Sequence, residues 1–343
     1  YAALGVLTTG AGNTVVGYLA GSQTTTGNQS TALGYESYGA SGAAVLTGTR
    51  NVCVGYRAGY DMQGASAENT LIGWQAGLDL TTGPSNVAIG SDTLSNSTVA
   101  REMVAIGQGV MGGGTVTAAA AGGIGIGIDA LRNLTTGVGN ISIGKNAGTA
   151  ITTGAHNVYV GHLAGDANTG GQNIGIGSNA LGDASSDVDD AIAIGFHAMA
   201  LADSAYDDRS IAIGSLALEN QNGTANSHNT AVGYNAGNDI TSGYQNSLFG
   251  YGAGDSLVTG FQNTIVGFSS YTSATGGQNQ TVIGSNVTGV ANNSVTLGNT
   301  SVTDVHMGQD SQAYVHSQNV PNHVTNTMSS PYYRFDGTND EIA

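Results

Sequence analysis

The sequence is built on a short signature that recurs about every 17 residues: an aliphatic residue, a glycine, two variable residues and a small residue. Eighteen glycines occupy the anchor position of this signature, and eight of the seventeen intervals between them are 17 residues long. The anchors are Gly5, Gly17, Gly34, Gly55, Gly73, Gly90, Gly107, Gly127, Gly144, Gly161, Gly177, Gly195, Gly214, Gly233, Gly250, Gly267, Gly284 and Gly298. A fixed period in this range is typical of solenoids, in which each repeat contacts only its neighbours.

Each copy of the signature predicts one short strand that ends at a glycine corner. The residue before the anchor is apolar, as in Ile89 and Ile194, and the residue two places earlier is β-branched in most copies, as in Val87 and Ile192. We expect these two residues to form the inward face of the strand. The anchor glycine provides a corner that a Cβ atom would obstruct.

The other columns of the repeat predict how successive coils pack. A small residue, usually Ala, stands three places after the anchor, and Thr-Thr-Gly turns such as 81–83 and 135–137 follow in several copies. Asn stands four places before the anchor in ten copies, where stacked amides can hydrogen-bond from coil to coil. The sequence therefore predicts an all-β, parallel β-roll or β-solenoid.

Composition and charge exclude several classes of protein. The 343 residues include 56 Gly and only 9% charged residues, which is far from the composition of an ordinary enzyme. The formal net charge of −16 repels phosphate backbones and anionic lipids, so we expect neither nucleic acid partners nor membrane insertion. Cys53 is the only cysteine, so no disulfide can form within the chain.

The thin coil predicts association between chains. Each coil offers only about two aliphatic side chains and one Ala or Ser for burial, which leaves apolar surface wet in a single chain. Several identical chains around one axis would cover that surface, and we favour a homotrimer. Seventeen strand-to-strand steps of about 4.8 Å would give a rod of roughly 80 Å.

Several copies resemble known families. The stretches NVAIG (86–90), AIAIGFHA (191–198) and SIAIGSLA (210–217) resemble the head repeat of trimeric autotransporter adhesins, which forms a left-handed parallel β-roll trimer. The stretches NTAVGYNAG (229–237) and SVTLGNTSVTDVHMG (294–308) are more similar to tail-fibre and appendage proteins of bacteriophages. The resemblance covers residues 1 to about 310, and it implies an intertwined homotrimeric fibre.

We divide the chain into a β-roll shaft (1–300), a short β transition or collar (301–330) and a final stretch (331–343). The stretch YYRFDGTND (332–340) looks like the opening strand of a lectin-like or laminin-G-like domain. We therefore expect the glycan-binding chemistry to lie beyond Ala343. Since Tyr1 is preceded by no initiator Met or signal sequence, we interpret the chain as a fragment or a processed product.

No catalytic constellation is evident, so we predict that the protein is not an enzyme. The stretch 139–146 differs from a phosphate-binding loop only at Asn146, but its glycines fall on the repeat and no helix is predicted after it. The stretch 175–180 resembles a dinucleotide fingerprint for the same reason. No cofactor is expected apart from the calcium ion considered next.

Acidic residues collect in two consecutive long turns. Asp189 and Asp190 lie in one turn, and Asp207 and Asp208 lie in the next, so stacking would bring carboxylates close together. Calcium, which prefers oxygen ligands on flexible loops, could neutralise them. The alternative is a solvated charged turn in which Asp190 or Asp208 pairs with Arg209.

Aromatic residues follow the anchors of four consecutive coils, namely Tyr18, Tyr35, Tyr56 and Trp74, and recur later as Tyr234, Tyr251 and Phe268. They predict a stacked ladder. The ladder could bind sugars, but we favour a structural role in sealing the roll or the interface between chains.

The sequence as a whole predicts a structural segment of a virion tail fibre or appendage that projects a host-receptor-binding tip. It would lie on the virion surface or outside the cell, with a host-surface glycan or receptor bound by a domain beyond this chain. A bacterial surface adhesin of the trimeric autotransporter type is one alternative. An ice-binding solenoid is another, suggested by the Thr-rich turns.

Overall fold

The protein was analysed as a computed structural model, which describes residues 3–39, 45–183, 187–202, 209–223 and 227–303. Residues Tyr1–Ser301 form one compact unit, and Val302–Ala343 form a second. The first unit spans nearly the same residues as the predicted shaft, 1–300, whose division from a collar and a final stretch stays a prediction. The predicted collar and the final stretch lie almost entirely outside the described residues.

The first unit is a parallel β-solenoid. Within the described residues it contains seventeen short strands, and each strand pairs in parallel with the next one along the chain. The strands are β1 Thr14–Val16, β2 Thr31–Leu33, β3 Val52–Val54, β4 Thr70–Ile72, β5 Val87–Ile89, β6 Val104–Ile106, β7 Ile124–Ile126, β8 Ile141–Ile143, β9 Val158–Val160, β10 Ile174–Ile176, β11 Ile192–Ile194, β12 Ile211–Ile213, β13 Thr230–Val232, β14 Ser247–Phe249, β15 Thr264–Val266, β16 Gln280–Ile283 and β17 Ser294–Leu297. One 3-10 helix, Ala118–Ala120, lies in the turn between β6 and β7.

The strand register follows the repeat. In β5 and β6, for example, Val87 faces Val104, Ala88 faces Ala105 and Ile89 faces Ile106. Chemically similar side chains therefore stack on one another from coil to coil. The predicted all-β solenoid with a spacing of about 17 residues is confirmed.

The direction of the strand side chains differs from the prediction. The central residue of each triplet points into the coil, as Ala88 and Ala193 do with no exposed surface. The residues that flank it in the strand, such as Ile89 after Ala88 and Ile194 after Ala193, remain partly exposed. The coil is so narrow that its interior accepts Ala, Gly or Ser at most of these central positions. The aliphatic residues expected to point inward therefore lie on the outer face of the sheet, because successive side chains of a strand alternate.

Where a strand has a large residue at its centre, a glycine elsewhere in the coil makes room for it. Tyr159 is completely buried at the centre of β9. A Cβ atom on Gly165 would lie 2.4 Å from the Tyr159 ring carbon Cζ, so only glycine fits there. The interior is thus packed coil by coil, with bulk at one position balanced by glycine at another.

The anchor glycines form the corner after each strand. Gly90 has a φ of +139°, and a Cβ atom on it would lie 2.3 Å from the carbonyl oxygen of Gly107 in the next coil. Both the backbone conformation and the close stacking of corners therefore require glycine. The predicted role of the anchors is confirmed.

The asparagines four places before the anchors form buried amide ladders. Asn246 donates from Nδ2 to Oδ1 of Asn229 at 3.1 Å and to the Gly260 carbonyl at 2.9 Å. Its own Oδ1 accepts hydrogen bonds from the backbone N–H and from Nδ2 of Asn263. One side chain therefore ties three consecutive coils together, as predicted.

Candidate functional site

The outer face of the sheet forms an apolar stripe along the solenoid. We define this strand stripe as the two residues that flank the buried centre of each three-residue strand and their counterparts in β16 and β17. None of the seventeen described strands contains a charged residue. Many stripe side chains are 37 to 58% exposed, including Val16, Leu33, Ile143, Ile176, Ile213, Phe249, Val266, Ile283 and Leu297. Such a long run of half-exposed aliphatic residues is unusual for the surface of a monomeric soluble protein.

The predicted aromatic ladder is present directly after the corners. Ring centroids are 5.0 Å apart between Tyr18 and Tyr35, 5.4 Å between Tyr35 and Tyr56, and 6.2 Å between Tyr56 and Trp74, with all planes within 13° of parallel. A second ladder joins Tyr234, Tyr251 and Phe268 with spacings of 5.1 Å. These rings are 39 to 51% exposed.

The stacking geometry favours the structural interpretation of these ladders. Sugars bind to the flat face of an aromatic ring, but the rings here cover one another face to face. Inner rings such as Tyr35 and Tyr251 therefore present mainly their edges to the outside. Since the ladders border the strand stripe, they extend its apolar surface around the corner of the coil.

The predicted calcium ligands are only partly described. Asp189 accepts a hydrogen bond from the backbone N–H of Gly171, and Asp190 lies 3.5 Å from the Arg209 guanidinium. Asp207 and Asp208 lie outside the described residues. Among the residues described, no group of three or more His, Cys, Asp or Glu side chains could hold a metal ion. Calcium binding at the longer turns stays a prediction, which the melting temperature with and without a chelator would test.

A different pair of stacked carboxylates stands out in the structure. Burial, and next the nearby Asp183 carboxylate, raise the pKa of Asp166 to about 6. Its Oδ1 atom is buried without a hydrogen-bond partner among the described residues, whereas Asp183 accepts a hydrogen bond from Asn179. The sequence analysis did not single out Asp166, because it lies outside the two acidic turns considered there.

Two further motifs carry no ligand-binding geometry. In 139–146, β8 is followed by a turn, so the segment lacks the helix N-terminus that a phosphate-binding loop needs. The Thr hydroxyls of the turns donate to carbonyl groups of the next coil, as from Thr81 to Thr98 at 2.8 Å and from Thr135 to Thr152 at 2.9 Å. Hydroxyls used in this way are not arranged as a free, flat ice-binding face.

Neither a scan against protein-family models nor a search of curated proteins finds a match for this chain. Within the part of the chain that the structure describes, no helix has the length and apolar character needed to cross a membrane. The strand stripe with its bordering ladders is therefore the main feature from which a function can be argued.

Proposed function

We propose that this chain is the shaft segment of a homotrimeric fibre, belonging to a virion tail fibre or a similar extracellular appendage. The observation that carries the proposal is the strand stripe, which leaves aliphatic side chains half-exposed along the whole sheet. The shaft would hold a receptor-binding tip at a distance from the particle. In this proposal the tip binds a host-surface glycan or receptor, and it is supplied by a domain beyond the chain.

Two further copies of the same chain are the occupants that best fit the stripe. A second copy carries a matching stripe with the same spacing between coils, so a contact made at one coil can be made again at each of the remaining coils. Among the residues that the structure describes, the acidic ones lie outside the strands, so stripes can meet without bringing like charges together. Burying the exposed area of the stripe between chains would stabilise the assembly by about 1 kcal/mol for each aliphatic side chain.

The backbone supports a mechanical role. Each strand from β2 to β16 pairs with the strand of the coil before it and of the coil after it, so the hydrogen bonds run along the solenoid axis from β1 to β17. Pulling the ends apart would load these bonds together with the interface between chains. A fibre built in this way should unfold slowly as well as unfavourably.

The strand stripe can be tested with two valines of equal exposure. Val266 lies in the stripe and Val99 lies in an outer turn, and each side chain is 38% exposed. Val266→Asp places a charge in the proposed interface and should shift the protein from trimer to monomer in light scattering after size exclusion. Val99→Asp should leave the trimer intact. Equal effects of the two substitutions would contradict the proposal.

The cellular setting needs its own experiment. Antibodies against the purified chain, imaged by immunogold electron microscopy, should label thin projections on virus particles. Labelling of bacterial surfaces in the absence of virus would instead favour the adhesin alternative, which would use the same trimeric shaft.

A further inference from the structure

A polar notch interrupts the wall of the solenoid beside β5, β6 and β7. We call it the mid-shaft notch, and its volume is about 340 Å³, close to the lower end of the usual range of ligand pockets, roughly 300–1,000 Å³. The side chains that line it are those of Asp92, Ser95, Asn96, Gln108, Ile128, Asp129 and Arg132.

The notch exists because one coil lacks two side chains that its neighbours carry. Gly109 and Gly112 occupy the positions held by Asp92 and Ser95 in the coil before, and by Asp129 and Arg132 in the coil after. A Cβ atom on Gly109 would lie 2.5 Å from Asp129 Oδ1. A Cβ atom on Gly112 would lie 2.3 Å from the Asp92 carbonyl oxygen. The two glycines therefore keep this space open.

The walls of the notch are held in place by hydrogen bonds. The Arg132 guanidinium donates to Asp129 Oδ1 at 2.7 Å, and Asn96 donates from Nδ2 to the Gly112 carbonyl at 2.7 Å. Asp92 Oδ2 accepts a hydrogen bond from the Ser91 hydroxyl at 3.1 Å. These bonds orient the polar groups before any ligand arrives, which lowers the entropic cost of binding.

Unused donors and acceptors remain around the notch. Within the described residues, the Gln108 carboxamide has no hydrogen-bond partner, and it contributes both a donor and an acceptor. Asp92 offers a carboxylate oxygen, and Ile128 adds an aliphatic surface that is 45% exposed. Closely spaced acceptors and donors beside one apolar patch match the hydroxyl groups and C–H face of a pyranose ring.

We propose that the mid-shaft notch binds a neutral hexose unit of a surface glycan. Two carboxylates face a single guanidinium here, and the chain carries a net charge of −16, so an anionic sugar is disfavoured. The inference does not depend on the proposed trimer, because all lining residues come from one chain. It places a glycan contact on the shaft itself, in addition to any tip.

Binding can be measured by saturation-transfer NMR on the assembled protein. The probes are the methyl glycosides of glucose, galactose and mannose, with N-acetylneuraminic acid and putrescine as an anion and a cation. Asp92→Ala and Gln108→Ala should each weaken hexose binding about fivefold or more, since each removes a polar contact to the ring. Asn146→Ala is the matched control for Asp92→Ala, because Asn146 occupies the equivalent corner position with a φ of +59°, compared with +56° for Asp92.

Hexose binding that both notch variants lose and the control keeps would support the proposal. Binding of none of the three hexosides, or equal binding to all variants, would overturn it. A preference for N-acetylneuraminic acid or putrescine over every hexoside would overturn the assigned ligand class. Gln108→Ala keeps the test decisive if Asp92→Ala fails to fold, because Gln108 is an exposed side chain.

Discussion

Single side chains in this protein act on more than one coil. The Asn157 amide shows this, since it donates to Asn140 Oδ1 at 3.0 Å and to the Gly170 carbonyl at 2.8 Å, while its own oxygen accepts from the backbone of Asn173. These groups are buried, so water cannot replace a missing partner. The column of asparagines therefore contributes more to the stability of the fold than the small volume of its side chains implies.

The amide ladder gives a prediction about stability. Asn246→Ala should lower the free energy of unfolding by about 2–4 kcal/mol, because it leaves the buried Gly260 carbonyl and the Asn263 backbone N–H without partners. Chemical denaturation followed by circular dichroism would measure this. Asn133→Ala, at an exposed asparagine, should change the stability by less than about 0.5 kcal/mol. A similarly small loss for Asn246→Ala would contradict the ladder's role.

The Asp166 carboxyl predicts a dependence of stability on pH. Its pKa of about 6 in the fold lies above the ordinary value of 3.8, so the folded state binds the proton more tightly than the unfolded state. Stability from this group should therefore rise as the pH falls through about 6 towards 3.8. Asp166→Asn should raise the melting temperature at pH 7.5 and raise it less at pH 5, as scanning calorimetry can show.

A control for this experiment is Asp129→Asn, which affects a carboxylate paired with Arg132 at 2.7 Å. It should not raise the melting temperature at pH 7.5. If Asp166→Asn had the same effect at both pH values, the pair of Asp166 and Asp183 would not be the source of the pH dependence.

The roles of individual repeat residues could be predicted where they depend on the coil alone. The Asn column and the anchor glycines are examples, because every coil places them in the same surroundings. The close approach of Asp166 to Asp183 and the notch beside Gly109 depend on how turns of different length fit together. The spacing of the repeat contains no information about that fit.

At the scale of one coil, the element is a three-residue strand, a glycine corner and a turn of variable length. The positions of the strands could be predicted because the aliphatic and glycine columns mark them. The direction of the side chains could not, since alternation alone allows either face to be inside. The deciding signal was the small central residue of many strands, as in Ala88 and Ala105, although some coils bury a larger residue there, such as Ile265.

The glycine corner can be tested by comparing two glycines with positive φ. Gly90→Ala should lower the free energy of unfolding by several kcal/mol, because the new Cβ would lie 2.3 Å from the Gly107 carbonyl oxygen. At Gly64, which has a φ of +55°, no atom lies within 4 Å of an added Cβ. Gly64→Ala should therefore cost only about 1 kcal/mol. Thermal unfolding measures both, and equal losses would mean that the contact between corners does not matter.

At the scale of the whole first unit, the apolar side chains are divided between two places. The interior of the coils holds small strand residues such as Ala193 together with large turn residues such as Leu131 and Leu218, all without exposed surface. Ile194 and Ile213 lie instead on the outer sheet face, where they stay partly exposed. Each chain therefore has a core of its own, and in the proposed fibre the apolar outer face forms a second core between chains.

The mass of the assembled particle tests this account most directly. Analytical ultracentrifugation of the purified chain at micromolar concentration should give a single species of three times 34.1 kDa. That species should persist on dilution, because a stripe along seventeen strands supplies many small contacts acting together. A stable, folded monomer of 34.1 kDa over the same range of concentration would contradict the proposed trimeric fibre.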